Sequence, residues 1–196
     1  MNKLFCTLIL LLFSFASLPA VAAEDEDHGL GFWAEAGAAS GKDHASWLTG
    51  YYDHSFTDSI GVYALVDIES DGYHEWYIGP KMKLAEGVEI GIATGRESIR
   101  GELKNSARRN AFVSVDTERV SAYVTYENGA SGPWHKAYVL YKVTESVSAG
   151  VMNETFYGRG LRAEYNFGKA TVWIAVLRNP DEHKTTTLAV INSTFW

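Results

Sequence analysis

The stretch "RVSAYVTYE", Arg119 to Glu127, sets Val120, Ala122, Val124 and Tyr126 against Ser121, Tyr123, Thr125 and Glu127. An apolar set and a polar set alternating with period two mark a half-buried strand, because successive side chains of an extended chain point to opposite faces. The same alternation recurs outward from this point in both directions. "IGVYALVDI" (Ile60 to Ile68) sets Val62, Ala64 and Val66 against Tyr63, Leu65 and Asp67. "VEIGIATGRE" (Val88 to Glu97) and "GRGLRAEYNF" (Gly158 to Phe167) repeat it. No long stretch keeps apolar residues at helical spacing, and beyond residue 23 no 18 consecutive apolar residues occur, so the pattern contains no membrane helix.

The breaks between these segments are as informative as the strands. Short ones fall at Phe56–Ser59, Leu84–Gly87, Val115–Glu118, Val143–Glu145 and Asn166–Lys169. Longer Gly-, Asn- and charge-rich ones fall between them at Ser40–Ala45, Glu69–Tyr73, Ser98–Ala107, Asn128–Pro133, Asn153–Gly158 and Asn179–Lys184. Counting from Leu30 gives twelve antiparallel strands paired as hairpins, with eight or ten as the other counts the length allows. Strands of about ten residues are what a tilted strand needs to cross the hydrocarbon of a bilayer. The expected fold class is all-β, a closed antiparallel up-and-down transmembrane β-barrel, over 30–196. A soluble sandwich or lipocalin-like barrel accounts less well for aromatic residues gathered near strand ends: Trp47, Trp76, Trp134 and Tyr157 on the long-loop side, and Phe56, Tyr165, Phe167, Phe195 and Trp196 on the other.

The opening "MNKLFCTLILLLFSFASLPAVAA" has Lys3 as a positive n-region, an apolar stretch from Leu4 to Leu18 and a small-residue site at Pro19–Ala23. It reads as a secretory signal peptide over 1–23, too short for a spanning anchor. The only cysteine, Cys6, lies in it, which excludes disulfides, thiolate metal sites and cysteine nucleophiles from the rest of the chain. Removing Lys3 with the leader moves the formal charge from −7 to −8, which argues against nucleic acid as a partner. Residues 24–29, "EDEDHG", read as a solvated acidic tail rather than a metal site. No cofactor or metal is called for.

A closed barrel has no free edge, so its last strand must pair with its first and stop at the membrane interface. The ending "KTTTLAVINSTFW", with its leader and the alternation between them, resembles the Gram-negative outer-membrane β-barrel proteins, whose final strand closes on an aromatic residue. The resemblance implies an outer-membrane location, assembly-machinery recognition of Phe195 and Trp196, and contact with membrane lipid and lipopolysaccharide, as a monomer. Asn192 and Thr194 depart from the usual form, being polar in register with Trp196. At the level of fold, small twelve-stranded porins that pass acidic oligosaccharides are the family to compare first.

If the aliphatic faces meet lipid, parity sends the other faces inward. That set carries Glu35, Asp67, Glu75, Glu89, Glu97, Glu127, Glu154 and Glu164 against Lys81, Lys83, Arg108, Arg119, Lys136, Lys142 and Arg162, interleaved with Tyr63, Tyr77, Tyr123 and Tyr138. A base on the lipid face costs roughly 2–4 kcal/mol at mid-depth, whereas inside it can pair or meet water. The expected function is a small passive channel with a mixed-charge lumen for small hydrophilic solutes. Two other readings stay open: a structural or lipopolysaccharide-interacting barrel with a salt-bridged interior, and a lipid-modifying hydrolase. For the last, the candidates are His74, His135 and Ser131, the serine four residues before His135. Arg100, Lys104 and Arg109, in "ESIRGELKNSARRN", are candidate contacts to lipopolysaccharide phosphates.

Overall fold

A computed structural model of the protein describes residues 30–40, 45–100 and 103–195, and the side chains of all of these but residues 30, 103 and 104. The expected leader over 1–23, the acidic segment 24–29, Trp196 and the side chain of Lys104 lie outside the described residues.

Twelve strands follow one another: β1 Leu30–Ala39, β2 Ser46–Ser55, β3 Ile60–Glu69, β4 His74–Ala85, β5 Val88–Ile99, β6 Leu103–Asp116, β7 Val120–Gly129, β8 Gly132–Lys142, β9 Val147–Glu154, β10 Gly158–Asn166, β11 Ala170–Asn179 and β12 Lys184–Thr194. Each pairs antiparallel with its chain neighbour, and β12 returns to β1 in a register running from Trp33↔Thr194 to Ala39↔Leu188, which closes the barrel. The count is twelve rather than eight or ten because every alternating segment finds its own place in the ladder. Closure satisfies the backbone donors and acceptors that an open edge would leave bare in hydrocarbon.

The turns differ from expectation. Connections are tight at both ends of the barrel, and only 40–45, between β1 and β2, is as long as six residues. The break expected over Ser98–Ala107 belongs to β5 as far as Ile99 and to β6 from Leu103 onward, with Asn105 in a left-handed conformation (φ 54°) and its N–H donating to Ser98 Oγ at 2.8 Å. Strand pairing is made by backbone groups, so a hairpin whose side chains are polar still continues past the apolar band.

The outer wall is aliphatic. Leu161 is 71% exposed and Ile92 64%, and Ile78, Val66, Val124, Val151 and Ile174 join them. A continuous band of this kind is a lipid-facing surface rather than a water-facing one. Phe56, Tyr165 and Phe167 stand exposed at the turn end that holds the chain terminus, where Phe195 packs on Phe32 at 5.7 Å across the closing seam. The opposite girdle is thinner than expected. Trp76 faces outward, but Trp47 and Trp134 line the interior and Tyr157 packs against an interior cluster. The last strand sends Leu188, Val190 and Asn192 inward.

Candidate functional site in the barrel lumen

Inward-facing positions on β4 to β8 build a polar half of the lumen around Arg108. Its Nε lies 2.9 Å from Glu75 Oε2, its Nη1 2.9 Å from Glu97 Oε2, and its Nη2 3.0 Å from Glu127 Oε2. The guanidinium also donates to Tyr77 OH at 2.6 Å, Ser131 Oγ at 2.7 Å and the Gly132 carbonyl at 3.1 Å. All four charged side chains are buried. Such a cluster holds only because each carboxylate meets further donors: Ser131 N–H and O–H serve Glu97, Asn110 Nδ2 serves Glu127 at 3.1 Å, and Tyr73 donates to Glu75. Tyr73 sits in the β3–β4 turn, where burial and then the neighbouring Glu75 push its phenol well above its ordinary value, keeping it a donor.

Toward the other end, Lys81 pairs with Asp53 and, at 2.9 Å, with Glu89. Between the two charge clusters runs a chain of ring contacts from Trp33 through Tyr51, Tyr63, Phe112 and Tyr123 to Tyr138, each step between 4.9 and 6.0 Å. The step from β3 to β6 depends on Gly91 in β5, where an added Cβ would lie 2.3 Å from Phe112.

The other half of the lumen is filled differently. Met152, Trp173, Ala175, Leu177, Leu188 and Val190 form a buried cluster on β9, β11 and β12, with Ala39 of β1, and Trp47, Tyr138 and Tyr157 pack against it. Trp47 reaches it by lying across Gly37, where a Cβ would meet its ring at 2.2 Å. At the margin of this cluster Glu35 accepts from Trp47 Nε1 at 3.2 Å and Trp173 Nε1 at 3.4 Å, with Lys136 Nζ at 3.8 Å. Arg162 ion-pairs with Glu164 and lies 4.2 Å from the Tyr138 ring centre and 4.0 Å from that of Trp173.

Between the two halves remains a cavity of about 880 Å³ whose lining runs from Trp33, Asp53 and Glu89 near one end to Ser131, Trp134 and Glu182 at the other. Glu35, Asp67, Glu75, Tyr77, Glu89, Arg108, Tyr123, Glu127, Lys136 and Arg162 line it. Lys81 is buried between its two acids, and Glu164 is held by Arg162. Lys83 and Arg119 are exposed, and Lys142 pairs with the exposed Asp116 at 2.8 Å. Asp53 and Glu69 also line the cavity. The expected inward set contains neither, and Glu69 falls in an apparent break of the sequence.

The candidate hydrolytic residues do not converge. Ser131 points to Glu97 and Arg108, while His135 bonds Thr155 Oγ1 at 2.9 Å and Asn153 Nδ2 at 3.1 Å. His74 is exposed in the outward set with Trp76 and Ile78. Of the candidate phosphate contacts, Arg109 lines an outer-wall groove of about 530 Å³ with Ile78, Pro80, Ile92 and Tyr126. Arg100 packs over the β3–β4 turn, 2.9 Å from where a Cβ on Gly72 would stand. Lys104 belongs to β6.

No protein-family model matches the chain, and no curated protein matches it in sequence. Solved structures do. A KdgM porin in complex with disordered oligogalacturonate superposes with a TM-score of 0.60 at 13% identity, covering 84% of this chain and 99% of that one. The NanC porin superposes at 0.52 and 11% identity, over 86% and 100%. Outer membrane phospholipase A from Escherichia coli superposes at 0.52 and 7% identity, over 93% and 95%. The chain has the fold of a porin-like outer-membrane barrel.

Proposed function

We propose that this protein is a small passive channel of a Gram-negative outer membrane, admitting small hydrophilic solutes through a mixed-charge lumen. The observation that carries this reading is the cavity of about 880 Å³ inside a wall whose outer face is aliphatic, with lining residues at both ends of the barrel. Eight inward-facing strands' worth of side chains nearly fill a barrel, and twelve strands leave room over. The similarity in fold to porins supports it. On this reading Arg100, Lys104 and Arg109 meet lipid phosphates, and Phe195 with Trp196 presents the closing strand to the assembly machinery.

The test is conductance of the refolded protein in a planar bilayer, with Lys136→Glu compared to the parent. Discrete steps whose ion selectivity shifts further toward cations in the variant are expected. A folded barrel without steps would sink the channel reading and favour the ion-paired, closed barrel that the Arg108 cluster could support.

A further inference from the structure

The charges facing the cavity are far from balanced. Ten carboxylates line it, against Arg108, Lys136, Arg162 and Lys184. The bases are also committed. Arg108 holds three acids at once, Lys184 lies 2.9 Å from Glu182, and Lys136 sits by Glu35 with its ammonium 5.0 Å from the Trp173 ring centre. Arg162 ion-pairs with Glu164 through Nη2 and packs against the Tyr138 and Trp173 rings, while its Nε is buried without a hydrogen-bond partner.

Glu154, at the end of β9, is the acid left over. Only 7% of it is exposed, it lines the cavity, and its Oε2 has no hydrogen-bond partner. Lys136, Glu35, Arg162 and Asp67 lie within electrostatic reach of it, and so does Glu69, so three acids and two bases surround the carboxylate. Burying a carboxylate without a donor is costly, so a site that keeps one is a site where the donor comes from outside. The neighbouring surface is apolar and aromatic: Trp47 and Tyr157 line the same cavity and pack on the Met152–Trp173 cluster. Among the described residues no group of three or more histidines and acids is placed to hold a metal ion, so a bare divalent cation lacks its cage.

We propose that the lumen at Glu154 is a binding station for a small organic cation, an alkylammonium whose N–H groups reach the Glu154 carboxylate while its carbon chain lies against Trp47 and Tyr157. Asp67 and Glu69 supply the field that draws it in, which makes the channel select cations over anions. The station rests on the channel reading only for its access from solvent.

Butylammonium is the probe, with 1-butanol as its neutral isostere and butyrate as its anionic one. Tryptophan fluorescence of the refolded protein in detergent micelles reads binding without requiring conductance. Saturable quenching by butylammonium but not by 1-butanol or butyrate is expected. Glu154→Gln should weaken it roughly tenfold or more, the effect of one lost charge-assisted hydrogen bond. Glu118→Gln, in the exposed β6–β7 turn, should leave it unchanged. Equal response to butylammonium and 1-butanol, or equal binding by parent and Glu154→Gln, overturns the proposal. The three-probe comparison needs only the parent protein, so a variant that fails to refold does not shield the proposal. Binding in micelles with no conductance in bilayers removes the channel and keeps the station. Conductance without a butylammonium response removes the station and keeps the channel.

Discussion

The two halves of the lumen solve one problem by opposite means. A twelve-stranded wall must fill part of its interior or leave it to water. On β4 to β8 the filling is ionic, with one guanidinium holding Glu75, Glu97 and Glu127. On β9, β11 and β12 it is apolar, with Trp173, Leu177 and Leu188 fully buried. The ionic half specifies geometry strongly, since each carboxylate must find its donors, but it contributes little net stability against an apolar filling of equal volume. The apolar half contributes burial and tolerates small shifts. The cavity runs between them, with charge on one side and rings on the other.

That difference can be broken most sharply at its centre. Arg108→Ala leaves three buried acids without their base, and we expect a loss of about 3–5 kcal/mol in the urea unfolding of the barrel reconstituted in lipid vesicles. A loss under about 1 kcal/mol would mean that water already solvates the cluster and that the ionic half is not packed. Trp173→Ala removes the largest side chain of the other half, and with it the ring on which Lys136 and Arg162 rest. We expect about 3–4 kcal/mol from lost burial and the cavity left behind. The two should part in conductance: Trp173→Ala widens the lumen and raises the step size, whereas an unchanged step size would place the narrowest point elsewhere.

The strand count and the sidedness of β3, β5, β7 and β10 were legible in the sequence because one face of each is aliphatic and the other carries charge or tyrosine. The apolar half of the lumen was not. β11, "ATVWIAVLRN", is apolar on both faces, so period two cannot say that Trp173 and Leu177 point inward while Ile174 and Val176 meet lipid. Trp47 and Trp134 misled in the same way: an aromatic near a strand end signals an interface only if its parity is outward, and their neighbours do not reveal it. Hairpin length was illegible for a different reason. Polar residues past the lipid band look like loop in composition, yet their backbones continue the ladder, as Leu103 to Ala107 do. Asp53 stood in a run of tyrosines, and Glu69 in an apparent break. The acid excess of the lumen therefore emerged only with the structure.

The smallest effect should come from the two glycines that leave room for rings close to the wall, one in each half. In β5, a Cβ on Gly91 would stand 2.3 Å from Phe112 and 2.8 Å from Tyr63, two rings already in edge contact at 4.9 Å. In β1, a Cβ on Gly37 would stand 2.2 Å from the ring of Trp47. Overpacking costs about 1–3 kcal/mol where the neighbours cannot retreat and less where they can. Phe112 is caught between Tyr63 and Tyr123, so Gly91→Ala should cost about 2 kcal/mol in the same urea unfolding. Trp47 borders the open cavity and can swing into it, so Gly37→Ala should cost about 1 kcal/mol while lowering conductance as the indole moves. The reverse order of costs would mean that the ring chain is the loose element and that Trp47 is locked by its bond to Glu35. Selectivity would then depend on the indole's fixed position rather than on the acids alone.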